Sequence, residues 1–165
     1  MKRICKWLAL AGGVVLLIVL VLKLFPDDAK IIDGNLKRIA QLASFGATEP
    51  PLSRLQNTRE LANFFAEDAK IVVDVPGAST QSISGREELF QMALAARNTH
   101  PGAKVELLDV HVRVDPGKNH AISEMTMNVR LANQPELFVE ELKVGWKKID
   151  GHWRIIQMET VKTLQ

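Results

Sequence analysis

The sequence predicts an α+β fold with the helices first and the long strands last. Two hairpin turn signals and a set of apolar residues at helical spacing carry this prediction. Asp150-Gly151 is among the strongest two-residue turn signals, and Pro116-Gly117-Lys118-Asn119 fits a four-residue hairpin loop. Runs of strands that follow runs of helices are typical of an α+β fold, not of alternating βαβ units.

The last hairpin spans Leu137 to Val161 around Asp150-Gly151. Closing the turn there sets Trp146 opposite Ile155, Val144 opposite Gln157, and Leu142 opposite Glu159. Lys147 then faces Arg154, and Lys143 faces Met158. Because side chains alternate along a strand, this register collects one apolar face.

The preceding hairpin joins strands at Lys104–Asp115 and His120–Leu131. Pairing Asp115 with His120 sets Val112 opposite Ser123 and Leu108 opposite Met127 on an apolar face. His111 and Glu124 then face each other on the opposite side, as do Asp109 and Thr126. We expect the His111–Glu124 pair to be a surface contact between strands.

Apolar residues recurring at helical intervals predict three helices, at Pro26–Phe45, Ser53–Ala66 and Arg86–Asn98. Pro101-Gly102 ends the third helix. Two shorter strands are predicted at Lys70–Val75 and Thr80–Ser84, the second of them at a sheet edge. Arg97, Arg113 and Arg130 are expected at the solvated surface, and the alternative role for them is to bind an anionic ligand.

Residues 1–25 predict a cytoplasmic tip and a transmembrane anchor. The apolar run from Ile4 to Phe25, interrupted by Lys6 and Lys23, is close in length to the about 20 residues that cross a bilayer core. We therefore expect residues 4–25 to contact the lipid bilayer. The basic residues Lys2, Arg3 and Lys6 precede the uncharged stretch from Trp7 to Leu22, which places the N-terminus in the cytoplasm and the rest outside. The alternative, a cleaved signal peptide, has a shorter apolar region that ends in small residues.

Composition excludes several classes of function. The net charge is +2, without a basic stripe interleaved with aromatic residues, so no nucleic-acid partner is expected. The single cysteine, Cys5, precedes the uncharged stretch from Trp7 to Leu22, and no histidine has a partner at ligand spacing, so we predict no metal site. No phosphate loop or nucleophile elbow is present, and no cofactor is predicted.

Three segments together resemble the SnoaL-like branch of the nuclear transport factor 2 superfamily. They are Asn63–Ala69 leading into a strand, Ile83–Leu89 opening a helix, and Ile149–Ile155 in the last hairpin. The resemblance covers residues 30–163 and assigns 26–165 to one domain. It implies a cone-shaped, curved antiparallel sheet wrapped around about three helices, with a pocket at the wide end.

No catalytic residue of the family can be assigned to a position of this chain. Members similar to ketosteroid isomerase use a tyrosine beside an aspartate base, and this chain has no tyrosine. Hydratase-like members use a histidine near an aspartate inside the cone, whereas Asp109 and His111 are predicted to point outward. Members include enzymes, ligand binders and structural modules, so the fold does not select among them.

Glu140, Gln157 and Glu159 are the candidate functional residues, because the predicted register places them on the apolar face with Trp146. A buried carboxylate has a raised pKa and can act as an acid or base. The alternative is a structural role near the solvent-facing end of the sheet. If the cone holds a ligand, the inward residues predicted to line its pocket are Phe64, Phe90, Met125, Met127, Leu142 and Trp146.

The leading functional prediction is a single-pass, membrane-anchored domain outside the cytoplasm that binds a partner or ligand without turnover. In a bacterium the domain would lie in the periplasm. A homodimer through the outer sheet face, an apolar small ligand and a membrane-protein partner are the candidate interactions. The alternative is a membrane-tethered isomerase, dehydratase or cyclase that uses Glu140 or Glu159 on an apolar small molecule.

Overall fold

The computed structural model describes residues 27–73 and 80–161, which form three helices and six strands. The predicted anchor at 1–25, with Cys5, lies outside these residues. The helices are α1 (Asp28–Ala43), α2 (Pro51–Asn63) and α3 (Arg86–Thr99). The strands are β1 (Phe65–Val73), β2 (Gln81–Ser84), β3 (Ala103–Val114), β4 (His120–Leu131), β5 (Leu137–Ile149) and β6 (His152–Thr160).

Helix α1 begins and ends at side-chain caps. The Asp27 carboxylate accepts a hydrogen bond from the Ala29 N–H at 3.1 Å, which satisfies a free donor of the first turn. The Ser44 hydroxyl donates to the Ala40 carbonyl at 2.8 Å where the helix ends. A buried stripe at helical spacing faces the sheet and consists of Ile32, Leu36, Ile39 and Leu42.

The six strands form one sheet in the order β2-β1-β6-β5-β4-β3. The α+β prediction is confirmed, but the expectation of a wholly antiparallel sheet is wrong for one pair. Strand β1 lies parallel to β6, with Ile71 opposite Met158. Parallel neighbours need a long crossover connection, which the elements α3 and β2 to β5 supply here.

A bulge in β6 changes the predicted register of the last hairpin. Trp146 pairs with Ile155 as predicted, but Gly145 pairs with Gln157, so Ile156 is an extra residue. Val144 therefore faces Met158, and the predicted pairings of Val144 with Gln157 and Leu142 with Glu159 are wrong. An extra residue shifts every later side chain in a strand to the opposite face.

A second bulge interrupts β3. The predicted pairs Val112–Ser123 and His111–Glu124 are confirmed, but Leu108 pairs with Thr126, not with Met127. Asp109 within the bulge has a φ of 50°, a left-handed conformation that aspartate tolerates better than most residues. Bulges bend the strands and increase their twist, which curves the sheet.

The core lies between the helices and one face of the sheet, here called the inner face. Trp146, Val144 and Ile155 on this face are fully buried. The Trp146 indole N–H donates to the Ser123 hydroxyl at 2.9 Å, so the largest buried side chain has its polar atom satisfied. The opposite side, the outer face, carries Ile122, Glu124, Lys143 and Gly145.

Within residues 27–73 and 80–161, no helix is long and apolar enough to cross a membrane.

Candidate functional site

The outer face carries the candidate site of this domain, and its centre is the strand pair β5–β6. Because of the Ile156 bulge, Gln157 lies opposite Gly145 and Glu159 lies opposite Lys143. The Gln157 amide donates to the Glu159 carboxylate at 3.2 Å. The prediction that these two residues share a face with Trp146 is therefore wrong, since they lie on the outer face.

A surface cleft of about 430 Å³ lies beside these residues. Gly145 forms part of its wall, and glycine leaves the backbone of β5 accessible there. Ile122 and Ile156 add apolar surface. Charged and polar groups lie around it, among them Asp115, His120, Lys143, Gln157 and Glu159.

Charges alternate across the sheet in a single row of this face. Glu124 of β4 is in register with Lys143 of β5, which is in register with Glu159 of β6. His111 of β3 continues the row beside Glu124, as predicted. Arg113 also lies 3.7 Å from the Glu124 carboxylate. Opposite charges on neighbouring strands stabilise the sheet modestly and leave the row nearly neutral.

Apolar side chains lie above and below this charged row. The exposed members are Val72 at 43%, Leu108 at 46%, Ile122 at 37%, Leu137 at 45% and Val139 at 53%. Their strand partners Glu159, Thr126, Gly145, Arg130 and Asn128 all lie on the outer face. The outer face thus combines exposed apolar side chains with charged groups that lie in register on neighbouring strands.

The residues predicted to line a ligand pocket lie in three different environments. Met125, Leu142 and Trp146 are buried in the core, and Met127 and Phe64 pack against it. Phe90 lies on α3 with the Arg59 guanidinium 6.0 Å from its ring centroid. Glu140 is partly buried opposite Met127 on the inner face, as predicted.

A buried ion pair joins the helices at the end of the domain where α1 ends. Both oxygens of the Glu49 carboxylate accept hydrogen bonds from Arg97 at 2.8 Å. Arg97 also donates to the Leu42 carbonyl and lies 4.9 Å from the Phe45 ring centroid. Arg97 is 3% exposed, so its predicted place at the surface is wrong.

A buried carboxylate, that of Asp28, lies at the opposite end of α1. The Lys148 ammonium donates to it at 2.8 Å and the Trp153 indole N–H at 2.9 Å. These hydrogen bonds, that of Lys148 foremost, hold the pKa of Asp28 below its ordinary value, although burial opposes them. The network fastens the start of α1 to the β5–β6 hairpin.

Neither buried cluster was predicted from the sequence. Asp28 has partners 120 and 125 residues away, Lys148 and Trp153, which no local pattern indicates. The signal for Arg97 was its spacing with Leu89, Ala93 and Leu94, which places a cation on the side of α3 that faces the core. No sequence signal marked Glu49, which lies in the α1–α2 loop.

Among the described residues, no group of three His, Cys, Asp or Glu side chains is arranged to hold a metal ion.

Solved structures of low sequence identity share this fold. A protein of unknown function from Pseudomonas putida KT2440, described as nuclear transport factor 2-like, is 14% identical with a TM-score of 0.62, covering 83% of this chain and 87% of its own. A protein provisionally named a scytalone dehydratase, from Novosphingobium aromaticivorans DSM 12444, is 15% identical with a TM-score of 0.59, covering 82% and 83%.

A third structure, from Novosphingobium aromaticivorans and provisionally named an aromatic ring hydroxylase, is 11% identical with a TM-score of 0.63 and covers 84% of this chain and 90% of its own. No family model matches the sequence. No curated protein matches it either. The predicted nuclear transport factor 2-like fold is confirmed, and identities this low establish the fold alone.

Proposed function

We propose that this protein is a single-pass, membrane-anchored domain outside the cytoplasm that binds a protein through the outer face of its sheet, without turnover. The partner proposed is a second copy of the chain. In a bacterium the domain lies in the periplasm. The observation that carries the proposal is the outer face itself, where Leu108, Ile122 and Val139 are exposed beside the charged row.

The centre of this face suits the approach of a second sheet. Gly145 lies directly between Ile122 of β4 and Gln157 of β6 in the register of the sheet. A missing side chain at this position lowers the surface, so that a facing residue can reach the β5 backbone. The charged row Glu124–Lys143–Glu159 offers both signs of charge to a partner that carries the same row.

Interior packing supports binding over catalysis. Trp146 fills the inner face and its only polar hydrogen is used by Ser123. Glu159, one of the two acid–base candidates, lies on the outer face.

The oligomeric state of the full chain tests the proposal. In mild detergent, size-exclusion chromatography with light scattering should give a dimer for the wild type and a monomer for Ile122→Glu. Leu52→Glu is the matched control, since Leu52 is 66% exposed but lies on α2, and it should stay dimeric. A monomeric wild type, or a dimeric Ile122→Glu, would contradict self-association.

Fractionation tests the anchor separately. The full chain should stay with membranes through an alkaline carbonate wash. A label that cannot cross the membrane should react with a cysteine at Asn133 in intact cells or spheroplasts. Release by the wash would contradict the anchor.

An enzyme is the second candidate, because one carboxylate remains on the inner face. Glu140 lies opposite Met127 and is partly buried, which suits an acid or base acting on an apolar molecule. Membranes that contain the chain would then convert a member of a panel of apolar hydroxy and keto compounds, and Glu140→Gln would abolish that conversion. Glu159→Gln is the control, because Glu159 faces outward.

A further inference from the structure

The start of α1 fixes one end of the domain close to the apolar run. The run ends at Phe25, and Asp27 caps α1, so Pro26 alone separates them. Two residues of chain span at most about 7 Å. The polar headgroup layer on each side of a bilayer is about as deep, so an anchored chain holds Asp27 at or within that layer.

Other elements share this end with Asp27. A cleft of about 460 Å³ is lined by Asp27 to Ala29 together with Val114 to Pro116 and Lys118. The β3–β4 loop therefore lies beside the start of α1. The Lys148 N–H donates to the Asn119 carbonyl at 2.9 Å, which brings the β5–β6 hairpin to the same end.

Asp28 holds α1 firmly to that end. Its carboxylate is 8% exposed and accepts hydrogen bonds from both Lys148 and Trp153 of the last hairpin. Only Pro26 separates the helix cap from the apolar run that ends at Phe25. The start of α1, where the proposed anchor would join the domain, is therefore held to this end by a buried contact.

We infer that the end formed by the start of α1, the β3–β4 loop and the β5–β6 turn is a membrane-facing surface that rests against lipid headgroups. This inference depends on the proposed anchor. The strands then rise from the membrane. Strand β4 has 12 residues, so its far end, and the β4–β5 loop, lie up to about 40 Å from the membrane-facing end. In this orientation the plane of the sheet is roughly perpendicular to the membrane, and the outer face points toward neighbouring proteins in the same membrane.

Fluorescence quenching in vesicles tests the orientation. The full chain, with Cys5→Ser, carries one cysteine labelled with a fluorophore. The cysteine is introduced by Gly117→Cys in the β3–β4 loop or by Asn133→Cys in the β4–β5 loop. At both sites the added side chain enters the solvent-exposed surface, and a Cβ at Gly117 has nothing within 4 Å. Vesicles of phosphatidylcholine carry a nitroxide on the headgroup.

We expect strong quenching at Gly117 and little at Asn133. Adding Asp28→Asn to each protein should reduce the difference between the two sites, because the domain is no longer held in one direction. Retention of the protein in vesicles with equal quenching, or with the order reversed, would overturn the inference and leave the anchor intact. Release of the protein by carbonate would overturn the anchor and the inference together.

Discussion

Asp28 shows how one side chain can couple the start of the domain to its end. It lies 120 residues from Lys148 in sequence, and their side chains are 2.8 Å apart. We expect Asp28→Asn to lower the free energy of unfolding by about 1–2 kcal/mol at pH 7, because a charge-assisted hydrogen bond is lost. Chemical denaturation measures the change. Asp33→Asn, which removes an exposed partner of Lys37, should have little effect.

The pH dependence of the same variant has a definite sign. The pKa of Asp28 is lowered in the folded state, mainly by the hydrogen bond from Lys148, relative to about 3.9 when unfolded. Its stabilisation is present above that unfolded pKa and is lost as pH falls through the folded value. The difference between wild type and Asp28→Asn should therefore shrink below about pH 4. A difference that stays constant down to pH 2 would contradict this account of Asp28.

The ion pair of Glu49 with Arg97, in which Arg97 is buried, can be compared with the exposed pair of Arg38 with Glu60. Glu49→Gln should destabilise the domain by about 3 kcal/mol, because Arg97 is left buried without a counter-charge. Glu60→Gln breaks the Arg38 pair, whose side chains are both 46% exposed, and should cost less than about 1 kcal/mol. Similar losses for both variants, measured by thermal and urea unfolding, would mean that the Glu49 site is hydrated.

Among the elements, turns were predicted better than strand registers. Asp150-Gly151 fixed the pairs Trp146–Ile155 and Lys147–Arg154 correctly. Beyond Ile156 the alternation of the sequence continued, but the bulge displaced the strand by one residue. A bulge follows from the curvature that the sheet needs to enclose the helices, and curvature depends on contacts distant in sequence. The face of Glu140 was therefore predictable, and those of Gln157 and Glu159 were not.

Helix ends, like the strands, have some features that local sequence predicts and others that depend on distant contacts. The predicted helix Pro26–Phe45 matches α1 to within two residues at each end, whereas α2 begins at Pro51, before its predicted start at Ser53. Proline at a first helical position is a local signal and could have been used. The ion pair of Glu49 with Arg97 could not be predicted, because a loop carboxylate finds its partner only after α1 and α3 pack.

Gly85 lies at the junction between β2 and α3, where the backbone conformation and the nearby chain leave no room for a side chain. Its φ is 90°, and an added Cβ would lie 2.9 Å from the Glu67 carbonyl oxygen. Gly85→Ala should destabilise the domain by about 2 kcal/mol or more, from left-handed strain and the clash. Gly34→Ala on the open side of α1 should instead stabilise it, by up to about 1 kcal/mol. Thermal unfolding of both variants checks the contrast, and equal effects would contradict it.

At the scale of the whole molecule, the uncovered face and the proposed anchor act together. The outer face has apolar groups separated by charges, which suits a weak contact more than an obligate one. Anchored copies share a plane, and tethering can raise effective concentrations to about the millimolar range. A contact between outer faces would then form more completely between anchored copies than between soluble fragments at the same concentration.

Cross-linking compares the contact between anchored chains in vesicles with the contact between soluble fragments. With Cys5→Ser and a cysteine at His111 on the outer face, the full chain in vesicles should form a cross-linked dimer with a flexible bifunctional maleimide. The fragment 27–165, at micromolar concentration in solution, should form far less. Adding Ile122→Glu should abolish the vesicle product, and adding Leu52→Glu should leave it. Equal cross-linking of the fragment and the full chain would mean that the contact is strong enough to hold without a membrane.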